Sequence, residues 1–447
     1  MSPDDPTVPH PLVTDVVNHD RTSVHPSGAM TSVMPVPRRQ RSVRRRSAVA
    51  FGALGTAVLT GCATDAPQDT WQPRGENAQM IHDLQWPIFA LAGVIGVIVF
   101  VIVGYVVVKF RDRGQPIPEQ THGKPALEIG LTILPAVILA AIAVPTVSTI
   151  FALAETGDTE CVINVTGNQW WWEYDYPVLD DGTICGYAPT EGQAAPIITS
   201  GQLVMPADTK VLLRGTSRDV IHSYWIPVLN GKQDMVPGRV HYLRLESDTP
   251  GIYAGQCTEF CGLSHANMRM EAVVLEPADF QRWIDNELKP YTPPEEGTTA
   301  AEGEIVYIQQ CARCHQVNGL VDPLTDELVV SNPEEHVWSG AAPNLTNLMS
   351  RNTFAGATWD LLLPDCRAHV WEASPEEFGE RYLEGVSEEC LNTVDLREWL
   401  RNSPAKKPMY ADAELLEPTD GKVRGMPYLA LSEDQIDVLV AYLLERK

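Results

Sequence analysis

Apolar positions along this chain change their period several times, and each change marks a different kind of structure. Residues 86–108, WPIFALAGVIGVIVFVIVGYVVV, carry no charge and are long enough for the ~20 residues that a bilayer-crossing helix needs. A second such run, ALEIGLTILPAVILAAIAVPTVSTIF at 126–151, holds one charge, Glu128, near its start. The two predict a transmembrane hairpin. Its loop, 109–125, contains Lys109, Arg111, Arg113 and Lys124, and an excess of basic residues marks the cytoplasmic side. The segment 62–85 and everything after Phe151 then face outward. From about 158 to 275 the pattern shortens to alternating runs, CVINVTG, IITSGQLVM, TKVLLRGT, HYLRLES and MEAVVLE, separated by Gly, Pro and Asp. That alternation predicts an all-β sandwich or barrel within 152–289. Residues 290–300, from the Pro-, Thr- and Glu-rich PYTPPEEGTTAAEGE, read as a linker, and 301–447 returns to helical spacing.

The N-terminus changes the picture. A basic run, RRQRSVRRRS, leads into the apolar AVAFGALGTAVL and ends at Cys62, which is the order of an export signal. The ending LTGC resembles a bacterial lipobox, and that resemblance makes Cys62 the lipidated first residue of the mature protein. Residues 1–61 are therefore expected to be a tail and signal, with Met30 or Met34 as alternative starts; His10, His19 and His25 carry no chemistry there. Export agrees with the outward orientation derived from the loop charges.

A length of 447 residues allows two or three folded units. The net charge of −25 excludes a nucleic-acid partner, since a phosphate backbone needs clustered cations, and it suits a basic partner instead. Nine cysteines are too few for a disulfide scaffold and too clustered for core filling, so chemical duties are expected.

Two clusters hold that chemistry. In CTEFCGLSHANM (257–268), Cys257 and Cys261 are followed by His265 and Met268, and His222 lies upstream in RDVIHSYWIP. Two thiolates, two imidazoles and a thioether are a soft donor set that suits copper. A single blue-copper ion uses one thiolate, whereas two thiolates on one loop can bridge a pair of copper ions. Each ion then takes one imidazole and one weak axial donor, Met268 or a backbone carbonyl. Sharing one electron over two ions keeps bond-length changes small, which favours fast transfer. A Cys257–Cys261 disulfide and a zinc site remain open on these residues alone. The second cluster is CxxCH at Cys311, Cys314 and His315, the spacing of covalent c-type haem attachment, in which the thiols take the vinyl groups and the imidazole takes the iron.

SRDVIHSYWIPVLNGKQDMVPGR and PGIYAGQCTEFCGLSHANMRMEAVV resemble subunit II of haem-copper cytochrome c oxidases. The resemblance implies a cupredoxin-like Greek-key domain with a dinuclear CuA centre on His222, Cys257, Cys261, His265, Met268 and the backbone carbonyl of Glu259. It further implies that the Glu259 carboxylate reaches a magnesium ion at the subunit I boundary. GNQWWWEYDYP resembles the family's aromatic patch where electrons arrive; Trp170 is the matching position, expected as an exposed indole, with Trp171 and Trp172 structural. Glu128 matches a glutamate at the cytoplasmic mouth of a proton path into subunit I, although Leu131 stands where the family has tryptophan.

AAPNLTNLMSRNTFAG and RGMPYLALSEDQIDVLVAYLLERK resemble small class I cytochromes c, an all-α fold. By that resemblance Met426 is the second axial ligand; the runner-up is Met409 in KKPMYADAE, because an insertion between the two departs from the family spacing. Cys366 and Cys390 are extra to the pattern and are expected to pair, as are Cys161 and Cys185 in the oxidising exterior. The layout resembles caa-type oxidases. It implies an electron-receiving subunit of a proton-pumping oxidase in the bacterial plasma membrane, partnered by lipid, subunits I and III and an upstream cytochrome or cytochrome bc complex. The alternatives are the CuA subunit of a nitric or nitrous oxide reductase, or a stand-alone copper and haem electron-carrier lipoprotein.

Overall fold

Two long helices open the computed structural model, which describes residues 66–447 apart from 115, 117, 118, 120, 121, 158, 330–341 and 411–423. Residues 1–65, Cys62 among them, lie outside the described residues. Helix α1 (Glu76–Lys109) and helix α2 (Pro125–Leu153) present exposed Val, Ile, Leu and Phe side chains along most of their length. Such a surface belongs in hydrocarbon, where a helix satisfies its own backbone groups. α1 starts earlier than its apolar run because its polar first turns extend above the bilayer and dock on the outward domain. There the buried Asn77 donates through Nδ2 to the Arg244 carbonyl (2.8 Å) and accepts from Arg244 Nη2 (2.7 Å).

The alternating segment folds as two sheets. Strands β1 (Cys161–Asn168), β2 (Trp171–Tyr176), β3 (Ile197–Ser200), β4 (Gln202–Pro206) and β5 (Val211–Ser217) are followed by a small ladder of β6 (His222–Tyr224) and β7 (Gln233–Met235). Strands β8 (His241–Leu245), β9 (Gly251–Gln256) and β10 (Arg269–Leu275) complete the domain. One sheet runs β3-β2-β1-β5-β8 and the other β4-β10-β9. The β1·β5 and β4·β10 pairings are parallel and the rest antiparallel, so the chain crosses between sheets rather than forming successive hairpins. Strand β1 alternates buried and half-buried residues, placing Cys161, Ile163 and Val165 in a core shared with Trp172, Tyr174, Leu203, Leu213 and Val273. Period 2 sorts these residues because successive strand side chains leave opposite faces. Cys161 is bonded to Cys185 as expected. This β domain behind a two-helix hairpin is the cupredoxin-like layout expected of the chain.

Helix α3 (Pro277–Glu287) closes the β domain and α4 (Thr299–Gln310) begins the last module, capped by Thr298 Oγ1, which accepts from Ala301 N at 3.2 Å. A two-stranded ladder of β11 (Thr353–Phe354) and β12 (Trp359–Asp360) precedes α5 (Pro364–Trp371), α6 (Pro375–Leu383), α7 (Thr393–Arg401), the single turn α8 (Ser403–Lys406) and α9 (Glu433–Leu444). Ser432 and Gln435 form a capping box that satisfies the orphan N–H groups starting α9. Helices α4 and α9 cross so closely at Gly303 that a Cβ there would lie 2.0 Å from the Val438 carbonyl, which requires glycine. Cys366 and Cys390 are bonded and tie α5 to the turn before α7, again as expected.

Candidate functional site

His222 starts β6, and the 257–268 loop joins β9 to β10 by way of a short 3-10 turn, His265–Asn267. The backbone is already ordered on both sides: Cys257 N donates to the Met268 carbonyl (2.9 Å), pinching the loop shut. All five side-chain donors converge. Cys257 Sγ lies 3.9 Å from Cys261 Sγ and 3.9 Å from His222 Nδ1, while Cys261 Sγ lies 3.5 Å from His265 Nδ1 and 3.8 Å from Met268 Sδ. The Glu259 carbonyl oxygen is 3.3 Å from Cys257 Sγ, and its carboxylate end is exposed.

This geometry answers the open question of a disulfide. A bonded pair would have its sulfurs near 2.05 Å apart; the Cys257 and Cys261 sulfurs stand well beyond that, while the other two pairs in the domain and module are bonded. Hydrogen bonding from Cys261, helped by His222, holds the Cys257 thiol down to about 4 despite its burial, and Cys261, bonded to that thiolate, is pushed up. A soft cation between the sulfurs would replace the proton they share, so the donor set fits copper. Burial pulls His222 down, but its bonds to Asp219 and Cys257 outweigh this and raise it. Asp219 Oδ1 sits 2.8 Å from His222 Nε2, orienting the ring so that Nδ1 faces the sulfurs. Sequence reading missed Asp219, although its place three residues before His222 in RDVIH was a usable signal.

A cavity of about 860 Å³ lies beside this loop. Its lining brings together Cys311, Cys314 and His315 of CxxCH, Met426 of the MetPro pair and its runner-up Met409, which lie far apart in the sequence. Burial pushes the Cys311 thiol up to about 12 and raises Cys314, so neither is reactive as a free thiol. His315 Nδ1 donates to the Pro343 carbonyl (2.8 Å), and burial lowers the ring's pKa, leaving a neutral imidazole with the Nε2 lone pair available. Thiols, imidazole, thioethers and an apolar wall of Leu345, Leu348, Leu439 and Leu443 are what a covalently held haem requires.

The wall between the cavity and the 257–268 loop is Trp170. Its indole Nε1 donates to the Cys261 carbonyl (2.9 Å), joined there by Gln169 Nε2 (2.7 Å), and its ring packs on Tyr410 with centroids 5.2 Å apart. Trp170 is only 2% exposed. The expected exposed indole is therefore corrected: the C-terminal module lies over it. Trp171 and Trp172 are buried as structural residues, Trp172 edge-on to the His222 ring. Glu128 stands exposed in the first turn of α2, far along the chain from both clusters.

Residues 161–276 match the periplasmic domain of cytochrome C oxidase subunit II, and 66–149 match the transmembrane domain of that family. Cytochrome c oxidase subunit 2 of Alkalihalophilus pseudofirmus is 30% identical over 403 residues, spanning 88% of this chain and 94% of the relative. The protein of the same description from Bacillus sp. (strain PS3) is 30% identical over 414 residues, 89% of this chain and 96% of its own length. The crystal structure of the periplasmic domain of subunit II of cytochrome oxidase from Bradyrhizobium japonicum is 26% identical and covers 30% of this chain and 96% of that one, with a TM-score of 0.26.

Proposed function

The chain belongs to the cytochrome c oxidase subunit II family, a two-span membrane component of the haem-copper oxidase complex whose outward domain implies a CuA centre, and from that premise we propose that it carries its own electron relay. Cys311, Cys314 and His315 would hold a haem c, with Met426 as a further ligand, and this group would supply the acceptor for electrons from an upstream cytochrome or cytochrome bc complex. His222, Cys257, the Glu259 carbonyl, Cys261, His265 and Met268 would hold CuA, which would supply one-electron transfer toward haem in subunit I for the reduction of oxygen to water with proton pumping. When bound, the iron and the copper pair supply one-electron chemistry at low reorganisation. What this chain contributes is position. One observation carries the reading: Trp170 lines the cavity that holds the CxxCH residues and, through Nε1, hydrogen-bonds the backbone of a copper ligand.

The residues divide the work. Asp219 fixes the His222 ring, Pro343 fixes the His315 tautomer, and the apolar cavity wall excludes water. Tethering makes the step between the two centres intramolecular, so its rate is independent of a diffusing carrier. At the margins of this relay we assign the Glu259 carboxylate to a magnesium ion shared with subunit I, Glu128 to a proton path from the cytoplasm, Cys62 to a lipid anchor, and subunit III to the complex. The match of 66–149 to the family's transmembrane domain favours an oxidase subunit over a stand-alone electron-carrier lipoprotein.

Spectroscopy of the purified native complex tests the reading. A mixed-valence copper signal together with a low-spin c-type haem on this subunit is expected; a mononuclear copper or zinc protein without covalent haem would reject it. A finer test is Trp170→Phe, which keeps a ring against Tyr410 but loses the bond to the Cys261 carbonyl. Flash-induced electron transfer from haem to copper should slow about tenfold, a barrier change of ~1.4 kcal/mol, with both absorption spectra unchanged.

A further inference from the structure

The C-terminal module touches the copper-ligand loop at more than Trp170. Thr358 Oγ1 donates to the Asn267 carbonyl (2.7 Å), and Arg269 N donates to the Gly356 carbonyl (3.1 Å). Ser264 Oγ donates to the Pro408 carbonyl. Ser264 lies between Cys261 and His265, and Asn267 between His265 and Met268, so the module grips the loop at both spacers of its ligand series. Backbone meets backbone at Gly356, whose φ of +74° and missing Cβ permit the approach; a Cβ there would lie 2.5 Å from the Trp170 carbonyl.

Lys407 sits at the centre of this junction. It is 3% exposed, yet Nζ hydrogen-bonds two main-chain carbonyls: Trp170 (2.9 Å) on the copper side and Ala355 (2.7 Å) on its own side. Among the described residues no carboxylate makes an ion pair with it. A buried lysine is costly to desolvate, and an apolar side chain of similar volume would fill the same space without that cost. That cost is offset by what the lysine holds. The two carbonyls belong to the segments that bear Trp170 and Gly356, and Lys407 sets their separation.

We propose that Lys407 is a positioning residue that clamps the C-terminal module onto the copper-ligand loop, so that the order of the loop and the place of Trp170 depend on the docked module. The inference rests on the proposed relay and deepens it: the module is a structural part of the copper site as well as an electron source. Residues 257–269 are held from one side by the β domain and from the other by Thr358, Gly356 and Pro408. Releasing the clamp frees that second side.

The experiment uses the intact complex carrying Lys407→Met, with Lys407→Arg and Thr358→Val beside it. Hydrogen exchange at the amides of 257–269, Arg269 N above all, should accelerate about tenfold in Lys407→Met, which loses both hydrogen bonds that Nζ makes. Flash-induced transfer from haem to copper should slow by a similar factor while haem content stays at the parent value. Lys407→Arg, which can still donate to both carbonyls, should restore most of the protection. Thr358→Val should loosen the loop alone and serves if Lys407→Met does not assemble. Unchanged exchange and transfer in a Lys407→Met complex with full haem and copper would overturn the clamp and leave the relay standing. A parent complex lacking either group would overturn both.

Discussion

Cys257→Ser should abolish the dinuclear copper signal and leave the haem spectrum untouched. Cys257 is the hub of the donor cluster, within 3.9 Å of both Cys261 Sγ and His222 Nδ1 and 3.3 Å from the Glu259 carbonyl. Its thiol is the one held down to about 4, so it meets a cation as a thiolate, and the proton displaced is the one Cys261 holds. A serine hydroxyl occupies the same place but stays protonated at neutral pH, and its hard oxygen does not bridge soft ions. Changing even a group that only supports a metal ligand costs roughly 10–100-fold in metal affinity, and loss of a bridging ligand should exceed that range. Metal analysis of the purified variant against the parent checks it. Copper content equal to the parent would defeat the ligand assignment, because the remaining donors could not then need Cys257. Haem attachment should survive, since Cys311, Cys314 and His315 line a cavity to which no residue of 257–268 contributes.

The second large effect separates the two methionines of the cavity. Met426→Leu should convert the haem from low-spin to a form lacking its thioether ligand and lower its reduction potential by roughly 0.2 V, within the ~0.8 V span that axial ligands command. Met409→Leu should leave the haem spectrum intact and cost less than ~1.5 kcal/mol in stability, as a volume-conserving core exchange does. Met409 is buried at 3% exposure and packs against Gly425, where an added Cβ would lie 2.5 Å from its sulfur. Met426 is half-buried on the cavity lining next to Pro427. A spectral change in Met409→Leu with none in Met426→Leu would reverse the assignment. Both residues were legible as candidates in the sequence; choosing between them was not, because the stretch 410–425 between them departs from the usual spacing.

That contrast runs through the protein. The two bilayer helices were legible because about twenty uncharged apolar residues in a row have no other stable setting, and α1 differs from its apolar run only where polar turns dock on Arg244. The strands of the β domain were legible from period 2, and the parallel β1·β5 and β4·β10 pairings were not, since alternation fixes which face a residue takes but not which strand lies beside it. Among site residues, Cys257, Cys261, His265 and Met268 announce themselves through short offsets on one loop, and Cys311, Cys314 and His315 through theirs. Asp219 was within reach of the same logic.

Lys407 was not. It meets Trp170 across 237 residues, and nothing in KKPMY distinguishes a buried clamp from a surface lysine. The expected exposed indole at position 170 failed for the same reason: its burial belongs to the module that covers it. What the sequence by itself determined is the inventory of this protein: two spans, a strand-rich domain, a soft donor set and a haem-attachment motif, each written in side chains a few residues apart. Tertiary structure alone decided that the two chemistries share a wall. Donor type and period are local properties of the chain, whereas the fit of one module on another depends on surfaces assembled from residues far apart in it, down to a missing Cβ at Gly356.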